Sequence, residues 1–186
     1  MKTPRIAMQL GAIALVFTTL PAAHAGKAHE HGVAKVDVAI EGNKLTVALE
    51  SPLDSLLGFE RAPRTDAERK AAADMLARLR SGGALFKADA AAACTLSRAT
   101  VTAPVLESAA KAPVSGAAAK AAGDDHADLD ASYEYTCAHP QQLRTLDLGL
   151  FDAFRRMQRI EVQVAGAQGQ SKATLKRPAR TVTLAR

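Results

Sequence analysis

Two stretches near the start of the chain alternate apolar and polar residues, with a Gly-Asn pair between them. Every second residue of 33–41 is apolar, and the same period recurs in 44–51. Period-two alternation gives a strand one apolar face. The pair Gly42-Asn43 tolerates the positive φ that a tight turn requires. The pattern therefore predicts a β-hairpin with one face in a hydrophobic core.

Similar short stretches recur along the chain, and a single long helical pattern interrupts them. Further strands are predicted at 94–103, 131–137, 146–150, 160–164, 173–175 and 182–184, and short helical turns at 53–59 and 140–143. The clearest helix is predicted from Thr65 to Arg80, where Thr65 and Glu68 have the spacing of a capping box. Strands outnumber helices and most connections are short. The chain is therefore predicted to be α+β, with a largely antiparallel sheet, short helices and one longer helix.

The first 25 residues have the composition of an export signal. Lys2 and Arg5 precede an apolar run at 6–20, and Ala23 and Ala25 stand at the −3 and −1 positions of a cleavage site. The alternative, a membrane anchor, needs about 20 apolar residues and no small-residue cleavage site. We expect a signal peptide at 1–25 and a single α+β domain at 26–186, periplasmic and not inserted in the membrane after cleavage.

The chain has two cysteines, Cys94 and Cys137. In an oxidising compartment such a pair usually forms a disulfide. A redox pair or a metal site is the alternative, but neither cysteine has a C-x-x-C neighbour. A structural disulfide between Cys94 and Cys137 is therefore predicted.

Charge and motifs argue against two classes of protein. The net charge is only +5, and the basic residues are scattered without interleaved aromatic residues, so nucleic acid is not expected as a partner. The sequence has no G-x-S-x-G or H-E-x-x-H motif, and a bridged cysteine is no nucleophile. We therefore expect a protein that is not an enzyme.

Two groups of residues could ligate a metal ion. His29-Glu30-His31 places two imidazoles at i and i+2, on the same face if the first strand begins there, where Zn²⁺ could bridge them. The alternative is a hydrated tail. Cleavage after Gly26 would instead leave His29 in the third position, where it could chelate Cu²⁺ or Ni²⁺.

The second group ends a segment rich in Ala, Lys and Gly at 104–127, which we expect to be a long mobile loop because it can bury little apolar surface. Here a divalent cation would relieve repulsion between neighbouring carboxylates, although a solvated loop is the alternative. The residues of this group are Asp124, Asp125, His126 and Asp128.

Four stretches carry a resemblance to a known family. They are His29-Glu30-His31-Gly32 at the start, the segment 50–60 (ESPLDSLLGFE), Tyr133-Glu134-Tyr135-Thr136-Cys137, and 148–154 (LGLFDAF). With these, the chain resembles the ZrgA-like zinc-regulated periplasmic zinc-binding proteins. The family typically has a long His/Asp-rich run in the middle loop, and here that run is reduced to the few residues that end at Asp128.

The resemblance implies a periplasmic protein that binds Zn²⁺ and buffers it or delivers it to an uptake system, with a zinc transporter component as partner. The alternative is a non-metal envelope interaction domain whose metal-binding loop has degenerated. The expected metal ligands are His29, His31, His126, Asp124 and Asp128.

Overall fold

The computed structural model of the protein describes residues 30–111 and 127–184. Nine strands and four α-helices follow one another along these residues. In chain order they are β1 (Val33–Glu41), β2 (Lys44–Pro52), α1 (Leu53–Leu57), α2 (Asp66–Ser81), β3 (Phe86–Ala88), β4 (Cys94–Thr102), α3 (Pro104–Lys111), β5 (Asp128–Cys137), β6 (Thr145–Leu148), α4 (Leu150–Ala153), β7 (Arg159–Gly166), β8 (Gly169–Lys176) and β9 (Thr181–Thr183). Two turns of 3₁₀-helix lie at Ala90–Ala92 and Pro140–Gln142.

The strands form two sheets. The larger has six strands in the order β4-β5-β2-β1-β7-β8, and the smaller has three in the order β3-β6-β9. All strand pairs in the described ranges are antiparallel except β1 with β7. The predicted hairpin is present, with Val38 opposite Val47 across the turn at Gly42 and Asn43. The predicted α+β class with a largely antiparallel sheet is confirmed.

The alternating residues of the large sheet bury one face. Side chains at every second position lie in the core, while the intervening ones line a polar outer face. The buried set includes Val36, Val38, Leu45, Val47, Leu49, Tyr133, Tyr135, Ile160 and Val162. This burial is the reason that the sequence alternates.

Two tyrosines of β5 join the large sheet to the elements that cover it. The ring of Tyr133 lies 4.8 Å from that of Phe86 in β3, and its hydroxyl donates to the carbonyl of Leu79 in α2 at 3.0 Å. The hydroxyl of Tyr135 donates to the Phe86 carbonyl at 3.4 Å. Burial raises the pKa of Tyr135 to about 12, so the phenol stays protonated as a donor.

Helix α2 begins where the sequence predicts. The Thr65 hydroxyl accepts from the backbone of Glu68 at 3.1 Å, and the Glu68 carboxylate accepts from the Thr65 backbone, which completes a capping box. Arg61 also donates two hydrogen bonds to Glu68, at 2.9 and 2.7 Å. The guanidinium of Arg61, followed by the backbone N–H of Arg64, lowers the pKa of Glu68 to about 2. The segment before α2 is thereby tied to the helix.

The predicted disulfide is confirmed. Cys94 and Cys137 face one another across β4 and β5 and are bonded.

The structure contains helix α3 and strand β3, which the sequence does not predict, and the predicted strand 146–150 ends earlier than expected. The first residues of the predicted loop at 104–127 form α3, in which Leu106 is buried and the Glu107 carboxylate accepts from the backbone of Ala103. Proline suits the first turn of a helix, and alanine favours its continuation. Residues 112–126 of that loop lie outside the described residues.

The predicted strand 146–150 ends at Leu148, because the Gly149 carbonyl already accepts the first hydrogen bond of α4, from the N–H of Ala153 at 3.1 Å. Strand β3 has too few residues to show a period. In the described ranges, no helix has both the length and the apolar character needed to cross a bilayer.

Candidate metal site

The residues just before β1 are held on both sides. The backbone N–H of Gly32 donates to the buried Ser55 hydroxyl in α1 at 2.9 Å. The Gly32 carbonyl accepts from Gln158 at 2.7 Å and from Arg159 at 3.0 Å. Gly32 has a φ of +78°, and a Cβ there would lie 3.3 Å from the carbonyl oxygen of Arg156. The chain at Gly32 is therefore fixed between α1 and the segment that leads into β7.

This anchoring places the side chain of His31 between two carboxylates. Its Nδ1 lies 3.6 Å from Oδ2 of Asp54, and its Nε2 lies 3.3 Å from Oε1 of Glu60. The side chain of His31 is 63% exposed, whereas those of Asp54 and Glu60 are 16% and 23% exposed. The imidazole thus covers two carboxylates that are largely withdrawn from solvent, and it remains accessible from outside.

The turn after α1 brings the two carboxylates to the same place. Gly58 ends the helix with a φ of +88°, a conformation that L side chains rarely adopt, and its N–H donates to the Asp54 carbonyl at 2.9 Å. The chain then reverses direction. The guanidinium of Arg61 lies over the ring of Phe59, 5.0 Å from its centroid, and forms an ion pair with Glu68 of α2. Glu60 therefore lies between two residues, Phe59 and Arg61, that contact each other, and Arg61 is held by α2.

Arg156 distinguishes the two carboxylates. Its Nη2 donates to Oδ1 of Asp54 at 3.2 Å, and its Nε donates to the Asp54 carbonyl at 3.0 Å. A Cβ at Gly58 would lie 3.2 Å from Nε of Arg156, so the glycine leaves room for the guanidinium. By contrast, Oε1 of Glu60 is buried and accepts no hydrogen bond from the described part of the chain. Among the described residues, Asp54 therefore has a compensating cation in Arg156, whereas the ion pair of Glu60 is with the imidazole of His31.

His31 forms two separate nitrogen–oxygen pairs that could bind a metal ion, Nδ1 with Asp54 and Nε2 with Glu60. Because the two carboxylates face opposite ring nitrogens, a single ion cannot contact both of them and the imidazole. Accordingly, no three His, Cys, Asp or Glu side chains within 30–111 and 127–184 are grouped as the ligands of one ion. Each nitrogen–oxygen pair could contribute two ligands, with water completing the coordination.

The structure describes two of the predicted metal ligands, His31 and Asp128. His31 does not lie in a strand, because β1 begins at Val33 after a turn closed by the Val33 N–H and the Glu30 carbonyl. The same-face argument for the two N-terminal imidazoles therefore does not apply to it. The predicted ligands His29, Asp124 and His126 lie outside the described residues.

Asp128 is the first residue of β5 and pairs with Pro52, immediately before α1. The N–H of Leu53 donates to the carbonyl of Ala127 at 2.8 Å. The end of the predicted loop is therefore hydrogen-bonded to the residue that precedes Asp54. In the described ranges Asp128 and His31 do not belong to a common group of three metal ligands.

Asp54 and Glu60 are not among the ligands predicted from the sequence. Both lie in the segment 50–60, which carries the resemblance to the zinc-binding family, but the stretch 53–59 suggested only an apolar helical turn. The available signal was a pair of carboxylates on either side of Gly58.

Comparison with protein-family models finds a match for this chain. A family model described as "ZrgA family zinc uptake protein" matches residues 28–184, which include every residue of the site. A search of curated proteins finds no match.

Proposed function

Because the chain belongs to the ZrgA family of zinc uptake proteins, we propose that it binds zinc in the periplasm and buffers it or delivers it to an uptake transporter. The observation that carries the proposal is the imidazole of His31, whose Nε2 lies 3.3 Å from a buried carboxylate oxygen of Glu60. Imidazole nitrogen and carboxylate oxygen are both common ligands of Zn²⁺.

The exposure of the site favours delivery over storage. Structural zinc sites use four protein ligands and are closed to solvent. Here the exposed imidazole of His31 and one carboxylate would leave the remaining positions to water. A transporter component could therefore reach the ion and displace water without unfolding the protein. Because the site is exposed and has few protein ligands, we propose that the protein is a zinc carrier and not an enzyme.

The test is isothermal titration of the mature chain with Zn²⁺, comparing wild type with His31→Ala and with the double variant His29→Ala/His31→Ala. We expect the double variant to lose the binding. The exposed His139, on the surface before the second 3₁₀ turn, provides the control, and His139→Ala should bind zinc as the wild type does. Unchanged affinity in the double variant would remove the N-terminal segment from the proposal.

Thermal unfolding separates this function from that of an envelope interaction domain without metal. A ligand at a hundred times its Kd stabilises the native state by about 2.7 kcal/mol. Zinc should therefore raise the Tm of the wild type in a concentration-dependent way. A Tm that responds to neither zinc nor chelator would favour the interaction domain.

A further inference from the structure

The spacing between His31 and Glu60 fits an ion between them. Zn²⁺ binds imidazole nitrogen and carboxylate oxygen at about 2.0–2.1 Å, and two such ligands of a tetrahedral ion lie roughly 3.3–3.4 Å apart. Nε2 of His31 and Oε1 of Glu60 are separated by 3.3 Å. The two atoms therefore already stand at the separation that a shared tetrahedral ion would impose.

The second carboxylate is less suited to bind the ion. Oδ1 of Asp54 accepts from the guanidinium of Arg156, so a cation bound by Asp54 would lie close to a fixed positive charge. Oε1 of Glu60 has no hydrogen-bond donor among the described residues, and a buried carboxylate oxygen without a donor is costly. A bound cation would remove that cost at Glu60 but would add repulsion at Asp54.

Asp54 has a different role available to it. A histidine that binds a metal usually donates its other ring N–H to a carboxylate, which fixes the orientation and tautomer of the ring. Oδ2 of Asp54 faces Nδ1 of His31 at 3.6 Å, and a small rotation of the exposed imidazole would shorten this to a hydrogen bond. Arg156 holds Asp54 in place from the other side.

We propose that His31, through Nε2, and Glu60 are the protein ligands of zinc, and that Asp54, held by Arg156, is the positioning residue that orients the imidazole. The assignment rests on the proposed function and names its site. Water fills the remaining positions of the ion.

The test measures zinc affinity by competition with a chromophoric chelator for the wild type, Glu60→Gln, Asp54→Asn, His31→Ala and the double variant His31→Ala/Glu60→Gln. We expect Glu60→Gln to weaken binding as much as His31→Ala does. The double variant should lose no more than either single variant, because each single variant already breaks the pair and the one ligand left does not hold the ion by itself. Asp54→Asn should weaken binding by about tenfold, as is usual for an orienting partner.

The exposed Glu41 at the tip of the hairpin provides a matched control, and Glu41→Gln should leave the affinity unchanged. Long-range ¹H–¹⁵N NMR of the ring supplies a readout that a structural role would not move. Zinc should shift Nε2 of His31 and leave the proton on Nδ1.

Three results would overturn the assignment. Wild-type affinity in Glu60→Gln would remove that ligand while leaving the zinc function of the chain intact. Zinc at Nδ1, with a greater loss in Asp54→Asn than in Glu60→Gln, would place the ion on the opposite side of the ring. A wild-type chain that binds no zinc would refute the proposed function and this site together.

Discussion

Removal of the disulfide should destabilise the fold by an amount that the length of the closed loop sets. Cys94 and Cys137 are 43 residues apart. Loss of that cross-link increases the entropy of the unfolded chain and costs about 4 kcal/mol. For a chain of this size, about 1 kcal/mol corresponds to 2–4 °C in Tm, so Cys94→Ala/Cys137→Ala should melt roughly 8–16 °C below the wild type.

Thermal and urea unfolding followed by circular dichroism measure this loss. The reduced wild type is the matched control, since it lacks the bridge but keeps both cysteine side chains, one buried and one partly buried. It should melt close to the double variant. A decrease in Tm that corresponds to less than about 1 kcal/mol in both proteins would refute the chain-entropy reasoning.

The same variant should keep its zinc affinity at temperatures where it is folded. Cys137 ends β5, whose other end, Asp128, pairs with Pro52 beside α1. The strand is ten residues long, so at about 3.4 Å per residue the bridge and that end are roughly 30 Å apart. Loss of zinc binding together with the bridge in the folded protein would contradict this separation.

Three further outcomes follow from single side chains. The pKa of Glu68 is lowered to about 2, so the carboxylate stabilises the fold fully above the ordinary glutamate pKa of 4.5 and loses this contribution as the pH falls towards 2. The difference in free energy of unfolding between wild type and Glu68→Gln, measured by urea unfolding, should therefore shrink over that pH interval. Arg177 donates to the carbonyl of Phe151 at 2.7 Å and lies over its ring, so Arg177→Met should cost about 1.5–3 kcal/mol in the same assay, with Arg177→Lys losing less. Gly58→Ala should cost about 1–2 kcal/mol because of its positive φ, and it should also weaken zinc binding in titration because the new Cβ displaces Arg156.

The strands could be predicted because burial of one sheet face leaves a period of two in the sequence. β5 shows this period over its whole length, and β1 and β2 show it except at the start of β1 and at the end of β2. The capping box of α2 was equally visible, since it depends on residues only three apart. Local patterns of this kind need no knowledge of the rest of the fold.

Helix α3 was not predicted because its composition gives little sign of burial. Composition suggested that the segment 104–127 could not bury enough surface to become ordered. In the structure Leu106 is only 5% exposed, and Val105 packs against the same core. Two apolar side chains that dock on an existing core are enough, and that core is formed by distant residues.

The site could be predicted only in part, for a related reason. His31 was found because imidazole is a common metal ligand. Its carboxylate neighbours depend on contacts that spacing does not reveal, such as the hydrogen bond from Gly32 to Ser55, 23 residues away. The ion pair that distinguishes Asp54 from Glu60 comes from Arg156, which is 102 residues from Asp54.

Chelation of zinc should leave the protein folded, because the site does not need the ion to hold its charges together. Small zinc domains unfold without metal because they have no other core. Here the core contains dozens of buried apolar residues, Arg156 compensates Asp54, and His31 stands between the two carboxylates. Far-UV circular dichroism in excess EDTA should therefore match that of the untreated protein, and the Tm should fall only to the value of the zinc-free chain. Loss of the β-sheet signal on chelation would mean that the ion is part of the fold, which a carrier that releases its zinc cannot tolerate.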